Sequence, residues 1–287
     1  VRILILGADS ILGEALHDSF VSQGRHTVEP LPLESCRWKS ERQAKKALRR
    51  CDCELVVDAR SLGAPGRNVI IRDIDIHRTQ WLARASHRNG TGYLYISTAQ
   101  VFSGSVERLY TEDDYPDSQD LLGEMLLHCE TAVRDNCEKY LILRLGSIFS
   151  HRSGNTLAYM LGELSKGEPL LVGNNQRGSP VAAEDAARVV SAVVDQLSTN
   201  ADVWGIYHYC SSQETNCYEF AERAIAIANQ YSELGSGSVE LRKHGEIPPI
   251  TNRVLDCSKI RNTFAIKQAP WRSAIGDTVK RYYHERH

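Results

Sequence analysis

Apolar residues fall along this chain in two alternating rhythms, short runs of Val, Ile and Leu and longer stretches with an apolar position every third or fourth residue. The chain opens on Val1 to Leu6, VRILIL, which reads as a strand buried on both faces. Gly7 then turns the chain, and either Asp9 or Ser10 can cap a helix. Ile11, Leu12, Ala15, Leu16 and Phe20 form the apolar side of that helix, and Gly24 closes it. The alternation continues with a strand over His26 to Leu31, a basic helix over Lys39 to Arg50, and a buried strand over Glu54 to Ala59. Helical spacing returns over residues 74–89 in Ile76, Trp81, Leu82 and Ala85. A fourth strand follows at Gly92 to Thr98 and ends in hydroxyls. Asp117 to Asp135 reads as an amphipathic helix with Leu122, Met125, Leu126, Cys129 and Val133 on one face, and Tyr140 to Phe149 as a fifth strand. Strands alternating with helices argue for an α/β fold, a Rossmann-type doubly wound parallel sheet.

After residue 150 the rhythm changes. Helices are expected over Asn155 to Lys166, Ala183 to Leu197 and Cys217 to Tyr231, with a strand at Trp204 to Cys210. Glu168 to Pro180 reads as a loop, Gly235 to Ser238 as a flexible break and Val239 to His244 as a short strand. The close, Trp271 to His287, is amphipathic and basic. These patterns divide the chain into a Rossmann-type domain over 1–150 and a smaller substrate-type lobe over 151–287, interleaved with the sheet.

Composition narrows the classes. A hydrophobic content of 42% over 287 residues suffices for a core, and a net charge of -2 leaves no overall electrostatic footprint for nucleic acid or an anionic membrane. Eight cysteines lack metal spacing and are expected as reduced thiols. With a core strand at its first residue and no apolar run of membrane length, the sequence is expected to be soluble and cytoplasmic.

The candidate chemistry starts at the first turn. Gly7, Ser10, Ile11, Leu12 and Gly13 form a strand–turn–helix junction of the kind whose helix amides hold a pyrophosphate. The fingerprint is partial, because Ser10 stands where a middle glycine would let a phosphate approach. A plain strand–turn–helix without ligand therefore stays open.

Several motifs, in order, resemble the extended short-chain dehydrogenases/reductases. They are Gly7 and Gly13, Tyr95-Ile96-Ser97-Thr98 followed by Val101-Phe102, and Arg144. Gln176-Arg177-Gly178-Ser179-Pro180, Gly205-Ile206-Tyr207-His208, Tyr218-Glu219-Phe220-Ala221 and Leu255-Asp256-Cys257-Ser258-Lys259 narrow the resemblance to the dTDP-4-dehydrorhamnose reductase (RmlD-like) branch. That branch also contains the regulatory subunit of methionine adenosyltransferase. The resemblance implies NADP or NAD as cofactor and three catalytic side chains. A Ser or Thr, here Thr98, bonds the substrate carbonyl, a Tyr protonates it, and a Lys one turn on holds the ribose and lowers the Tyr pKa.

Aligned forward from Tyr110 without gaps, the Tyr and Lys positions fall on Leu122 and Leu126 of Leu122-Gly123-Glu124-Met125-Leu126. Leucine donates no proton and binds no ribose hydroxyl, and a positioned acid is worth about 10²–10⁴-fold in rate. Neither Tyr115 nor His128 is placed to substitute. Ala99 stands where the family commonly has Asp, and Asp58-Ala59-Arg60 replaces a small, alanine-rich strand exit. Arg60 is expected either on an NADP phosphate or in the adenine-side groove, excluding the nucleotide. Arg37 and Lys39 are candidate readers of a 2′-phosphate, or the solvated start of a helix. Gln176, Arg177 and Pro180 correspond to a substrate-type pocket, with Arg177 either a phosphate contact or a surface arginine, and His208 reads as structural.

Three expectations follow. The first is a catalytically silent protein binding a nucleotide or other small ligand. The second is an atypical NAD(P)H-dependent reductase of a sugar-nucleotide-like carbonyl. The third is a regulatory subunit with a protein partner, or a homodimer.

Overall fold

The computed structural model describes residues 1–62, 71–152, 154–166, 169–199, 201–231, 239–241 and 250–285. The opening apolar run forms β1 (Arg2–Leu6), in which Ile3 to Leu6 are all buried. It is followed by α1 (Ile11–Gln23), β2 (Thr27–Leu31), α2 (Glu41–Cys51), β3 (Leu55–Asp58), α3 (Asp73–Asn89), β4 (Gly92–Thr98), α4 (Leu121–Arg134) and β5 (Tyr140–Leu145). The C-terminal half adds β6 (Ile148–Phe149), α5 (Thr156–Leu164), β7 (Leu170–Val172), β8 (Gln176–Gly178), β9 (Val181–Ala182), α6 (Ala183–Leu197) and β10 (Gly205–Tyr209). It continues with β11 (Thr215–Asn216), α7 (Cys217–Ala228), β12 (Val239–Leu241), β13 (Thr251–Asn252), α8 (Ser258–Phe264) and α9 (Trp271–His284).

Six strands form the central sheet in the order β10-β5-β4-β3-β1-β2, every neighbouring pair parallel. From β1 the chain steps to β2 on one side and then returns to β3 on the other, so a crevice opens at the C-terminal ends of β1 and β3. Ile3 and Ile5 pack with Leu12, Leu16 and Phe20 of α1 and with the valines of α6. Leu4 and Leu6 point the other way, into a layer with Leu48 of α2, Leu82 of α3 and Val133 of α4. The helices thus cover both faces, as the uninterrupted apolar strands require. A separate apolar cluster, centred on Phe149, Phe220 and Trp271, packs α5, α7 and α9 together.

Several expectations shift. The fifth strand stops at Leu145, because Gly146 donates to the Tyr209 carbonyl and the chain then leaves the sheet to pair as β6 with β9. Helix α4 begins at Leu121 rather than Asp117, since the Asp117 carboxylate accepts from the Ser103 amide and hydroxyl and the Ser118 amide reaches the Val101 carbonyl. The stretch expected as a loop over Glu168 to Pro180 contains β7 and β8, paired with β12 and with β11 and β13. Helix α8 is an addition. The expected break at Gly235 to Ser238, residues 242–244 of the short strand, and residues 286–287 lie outside the described residues. All eight cysteines are free, with the Cys210 and Cys257 sulfurs 3.6 Å apart. Among the described residues no helix is long and apolar enough to cross a membrane.

Candidate functional site

The turn after β1 is built for close approach. Gly7 has φ +74°, in the region that favours glycine, and a Cβ there would stand 3.1 Å from the Arg60 backbone. A Cβ on Gly13 would meet the Gly7 carbonyl oxygen at 2.0 Å, so only glycine lets α1 sit on the turn. Of the two candidate caps Ser10 takes the role, its Oγ accepting from the Gly13 amide at 3.0 Å. Asp9 instead accepts from the Leu33 amide at 2.6 Å, tying the turn to the segment after β2. The Ser10 side chain is wholly buried beneath the first turn, so the non-glycine middle position adds no bulk at the surface. The first-turn amides of Ile11 and Leu12 have no acceptor within the helix. Here the residues fit a pyrophosphate.

The next strand exit is different. Arg60 donates to Asp58 through Nε at 2.8 Å and Nη2 at 2.6 Å, and Nη2 also reaches Thr79 Oγ1 at 3.0 Å. Tyr93 donates its phenol to the same carboxylate at 2.6 Å, and Asp58 has 0% exposure. Burial and the adjacent Asp58 charge drive the Tyr93 pKa well up. The Arg60 guanidinium is therefore engaged by Asp58 and Thr79. Ala59 is buried and donates to the Leu6 carbonyl. Arg37 lies on the surface and pairs with Glu34 at 3.0 Å.

Thr98 ends β4, and its Oγ1 accepts from the Gln100 amide at 3.2 Å, capping the short 3₁₀ turn Ala99–Val101. It also lines a cleft of about 380 Å³ together with Ile11, Leu122 and Leu126. Leu126 is 1% exposed and belongs to the main core, with Leu122 half-buried against it. Between them, Gly123 has no room for a side chain, since a Cβ would meet Ser118 Oγ at 2.1 Å and the Gln100 carbonyl oxygen at 2.2 Å. That glycine holds α4 against the turn below Thr98. His128 is exposed, Tyr115 is 84% exposed, and neither lines the cleft.

Residues from the C-terminal half form the far wall. Gln176, Arg177 and Pro180 line the cleft, with Arg177 half-exposed and paired with Glu214. The starts of α5 and α7 also face it, capped by Asn155 and Asn216, whose Oδ1 atoms accept from Ala158 and Glu219 amides at 3.2 and 2.9 Å. Arg253, which the sequence reading missed, lines the same space and donates to the Phe102 carbonyl at 2.8 Å and to Asp120 at 2.6 Å. Asn immediately before an apolar helical run was a readable signal for the two caps, whereas nothing local marked Arg253.

Below the sheet end, Arg144 of β5 forks onto Glu130 of α4, with Nε at 3.0 Å and Nη2 at 2.6 Å, both residues almost fully buried. Arg144 Nη1 lies 3.4 Å from His208 Nε2, and His208 Nδ1 lies 3.2 Å from the Tyr110 carbonyl oxygen. Burial, then the Arg144 charge, lowers the His208 pKa to about 3. A neutral ring with its proton on Nδ1 satisfies both contacts.

A parallel sheet with a glycine turn at its switch point, and a cleft between the strand ends and a second lobe, define a Rossmann-type protein of the extended short-chain dehydrogenase/reductase class. More narrowly, the chain belongs to the RmlD substrate binding domain family, whose model matches residues 1–284. It is 24% identical over 286 residues to the dTDP-4-dehydrorhamnose reductase of Aggregatibacter actinomycetemcomitans, covering 96% of this chain and 97% of that protein. It is also 24% identical over 304 residues to methionine adenosyltransferase 2 subunit beta of Mus musculus, covering 97% of this chain and 87% of that one. Its fold matches the crystal structure of dTDP-4-dehydrorhamnose reductase from Bacillus anthracis str. Ames in complex with NADP. That match has a TM-score of 0.80 and 19% identity over 96% of each chain.

Proposed function

We propose that this protein is a catalytically silent member of its family, a cytoplasmic binding or regulatory protein that takes a nucleotide-type ligand in the cleft. The carrying observation is the pair Leu122 and Leu126, which line the cleft beside Thr98 and pack as core. The Gly7–Gly13 turn fits the pyrophosphate of a dinucleotide, and the NADP-bound relative shares the fold. The position aligned with the ribose-holding Lys is an apolar side chain, so the fit does not extend to the nicotinamide ribose.

Calorimetric titration with NADPH and then NADH, beside a carbonyl-reduction assay on the same preparation, tests the reading. Micromolar binding without turnover is expected, and robust reduction by the purified protein overturns the silent assignment. Absence of any binding overturns the nucleotide ligand and leaves a protein partner, for which the similarity to the methionine adenosyltransferase subunit is the support. A second reading, an NAD(P)H-dependent reductase of a sugar-nucleotide-like carbonyl with a non-standard proton donor, draws on Thr98 in the cleft wall. It requires Thr98→Ala to remove activity.

A further inference from the structure

Helix α2 and the segment leading into it carry Arg37, Lys39, Arg42, Lys45, Lys46, Arg49 and Arg50 against the single carboxylate of Glu41, in a chain whose net charge is -2. The inner face is apolar, with Ala44 and Leu48 buried, and Trp38 is buried at the approach. The outer face exposes Arg42, Lys46, Arg49 and Arg50. Among the described residues Arg42, Lys45, Lys46, Arg49 and Arg50 hold no carboxylate. Elsewhere, Arg25, Arg60, Arg78, Arg108, Arg144 and Arg253 each do.

This arrangement works against the free helix. Arg42 with Lys46, Lys45 with Arg49, and Lys46 with Arg50 are like-charge pairs one turn apart, which repel. Arg42 also stands in the first turn, where the helix dipole disfavours a cation. A partner bearing carboxylates would relieve both terms at once.

We infer that the outer face of α2 is a docking surface for an acidic helical segment of another protein. Arg42, Lys46 and Arg50 are spaced at about 6 Å along the axis, from a rise of about 1.5 Å per residue. A helix with a carboxylate at every fourth position has the same pitch. The strip is also bounded, by Glu34 before it and by Asp52 and Glu54 after it, with Asp52 paired to Arg2 and Glu34 to Arg37. A bilayer or a polynucleotide, extending past both ends, would lay its negative charge over these carboxylates. The outer face exposes neither an apolar side chain to enter lipid nor an aromatic ring to stack a base. None of these residues lines the cleft, so the surface does not depend on the nucleotide reading.

The test uses the full chain and a fluorescently labelled Ala/Glu helix peptide with glutamates at every fourth position, beside a scrambled peptide of equal composition. Binding of the patterned peptide is expected to exceed that of the scrambled one at least fivefold and to weaken with added salt. Lys46→Gln with Arg50→Gln is expected to weaken it at least tenfold while a cooperative melt and an unchanged far-UV circular dichroism spectrum show the fold retained, which separates lost docking from lost folding. Lys267→Gln with Lys280→Gln, at exposed positions outside the strip, leaves binding unchanged. No peptide binding, equal binding of the two peptides, or binding indifferent to the Lys46/Arg50 variant overturns the inference. So does tighter binding of phosphatidylserine vesicles or oligouridine RNA through the same residues.

Discussion

Replacing Gly123 by Ala sets two physical terms against each other. Gly123 sits in the first turn of α4, and helix propensity alone predicts that alanine stabilises by about 1 kcal/mol. The added methyl would lie 2.1 Å from Ser118 Oγ and 2.2 Å from the Gln100 carbonyl oxygen. The serine can rotate away, but the carbonyl belongs to the 3₁₀ turn fixed by the Phe102 amide on Ala99 at 3.1 Å and the Ser118 amide on Val101 at 3.0 Å. Relief therefore needs a backbone shift of α4 or of the turn, an overpacking change that typically costs about 1–3 kcal/mol. Once the propensity gain is subtracted, a net loss of roughly 0–2 kcal/mol is expected, which is about 1–3 kcal/mol below a variant that shows the propensity gain alone. Urea unfolding of the variant against Gly276→Ala measures it, because a Cβ on Gly276 in α9 would have nothing within 4 Å and should show the propensity gain alone. If Gly123→Ala unfolds at or above the midpoint of Gly276→Ala, the close approach beneath Thr98 is refuted.

Further outcomes follow from the buried groups. Leu126→Ala removes a 1%-exposed core side chain and should destabilise by about 2–5 kcal/mol in denaturant unfolding, where a mere cleft-lining role predicts almost none. Glu130→Ala leaves the Arg144 guanidinium buried without its carboxylate and should lower unfolding free energy by about 3–5 kcal/mol. His208 has its pKa lowered from 6.5 to about 3, so the unfolded chain binds its proton first as pH falls. Its contribution is whole above pH 6.5 and declines toward pH 3, by at most about 1.4 kcal/mol per pH unit. Equal pH slopes for the protein and His208→Gln, measured by unfolding between pH 7.5 and 5, would count against that account.

What could be read from sequence was what the chain decides locally. The strand Gly92–Thr98 and helix Ala183–Leu197 begin and end where the apolar pattern placed them, and Gly24 ends α1 in the left-handed region with φ 63°. Helix α4 was misplaced at its start because Asp117 and Ser118 look like helix-starting residues but bond to the segment after β4. Strands β7 and β8 were invisible because their partners lie far downstream, at residues 239–241 and at 215–216 and 251–252. In the site, the glycine turn and Thr98 were legible as motif positions. The Arg60 placement was not, since it depends on Tyr93 of β4 meeting Asp58 and on Thr79 of α3 accepting from Arg60 itself.

The position of β10 has a consequence for how the protein is made. Its residues pair with β5, Tyr207 opposite Leu143, yet they leave the ribosome only after β6 to β9, α5 and α6. Until then β5 is a bare edge of a parallel sheet, a row of open amides and carbonyls on an apolar strand. At roughly 5–20 residues per second that interval lasts on the order of seconds, long enough for nascent chains to pair with one another. A chain cut near residue 150 would keep that edge permanently, and it would also lack the α6 valines that complete the main core, so the stretches on either side of that point are one unit of biosynthesis.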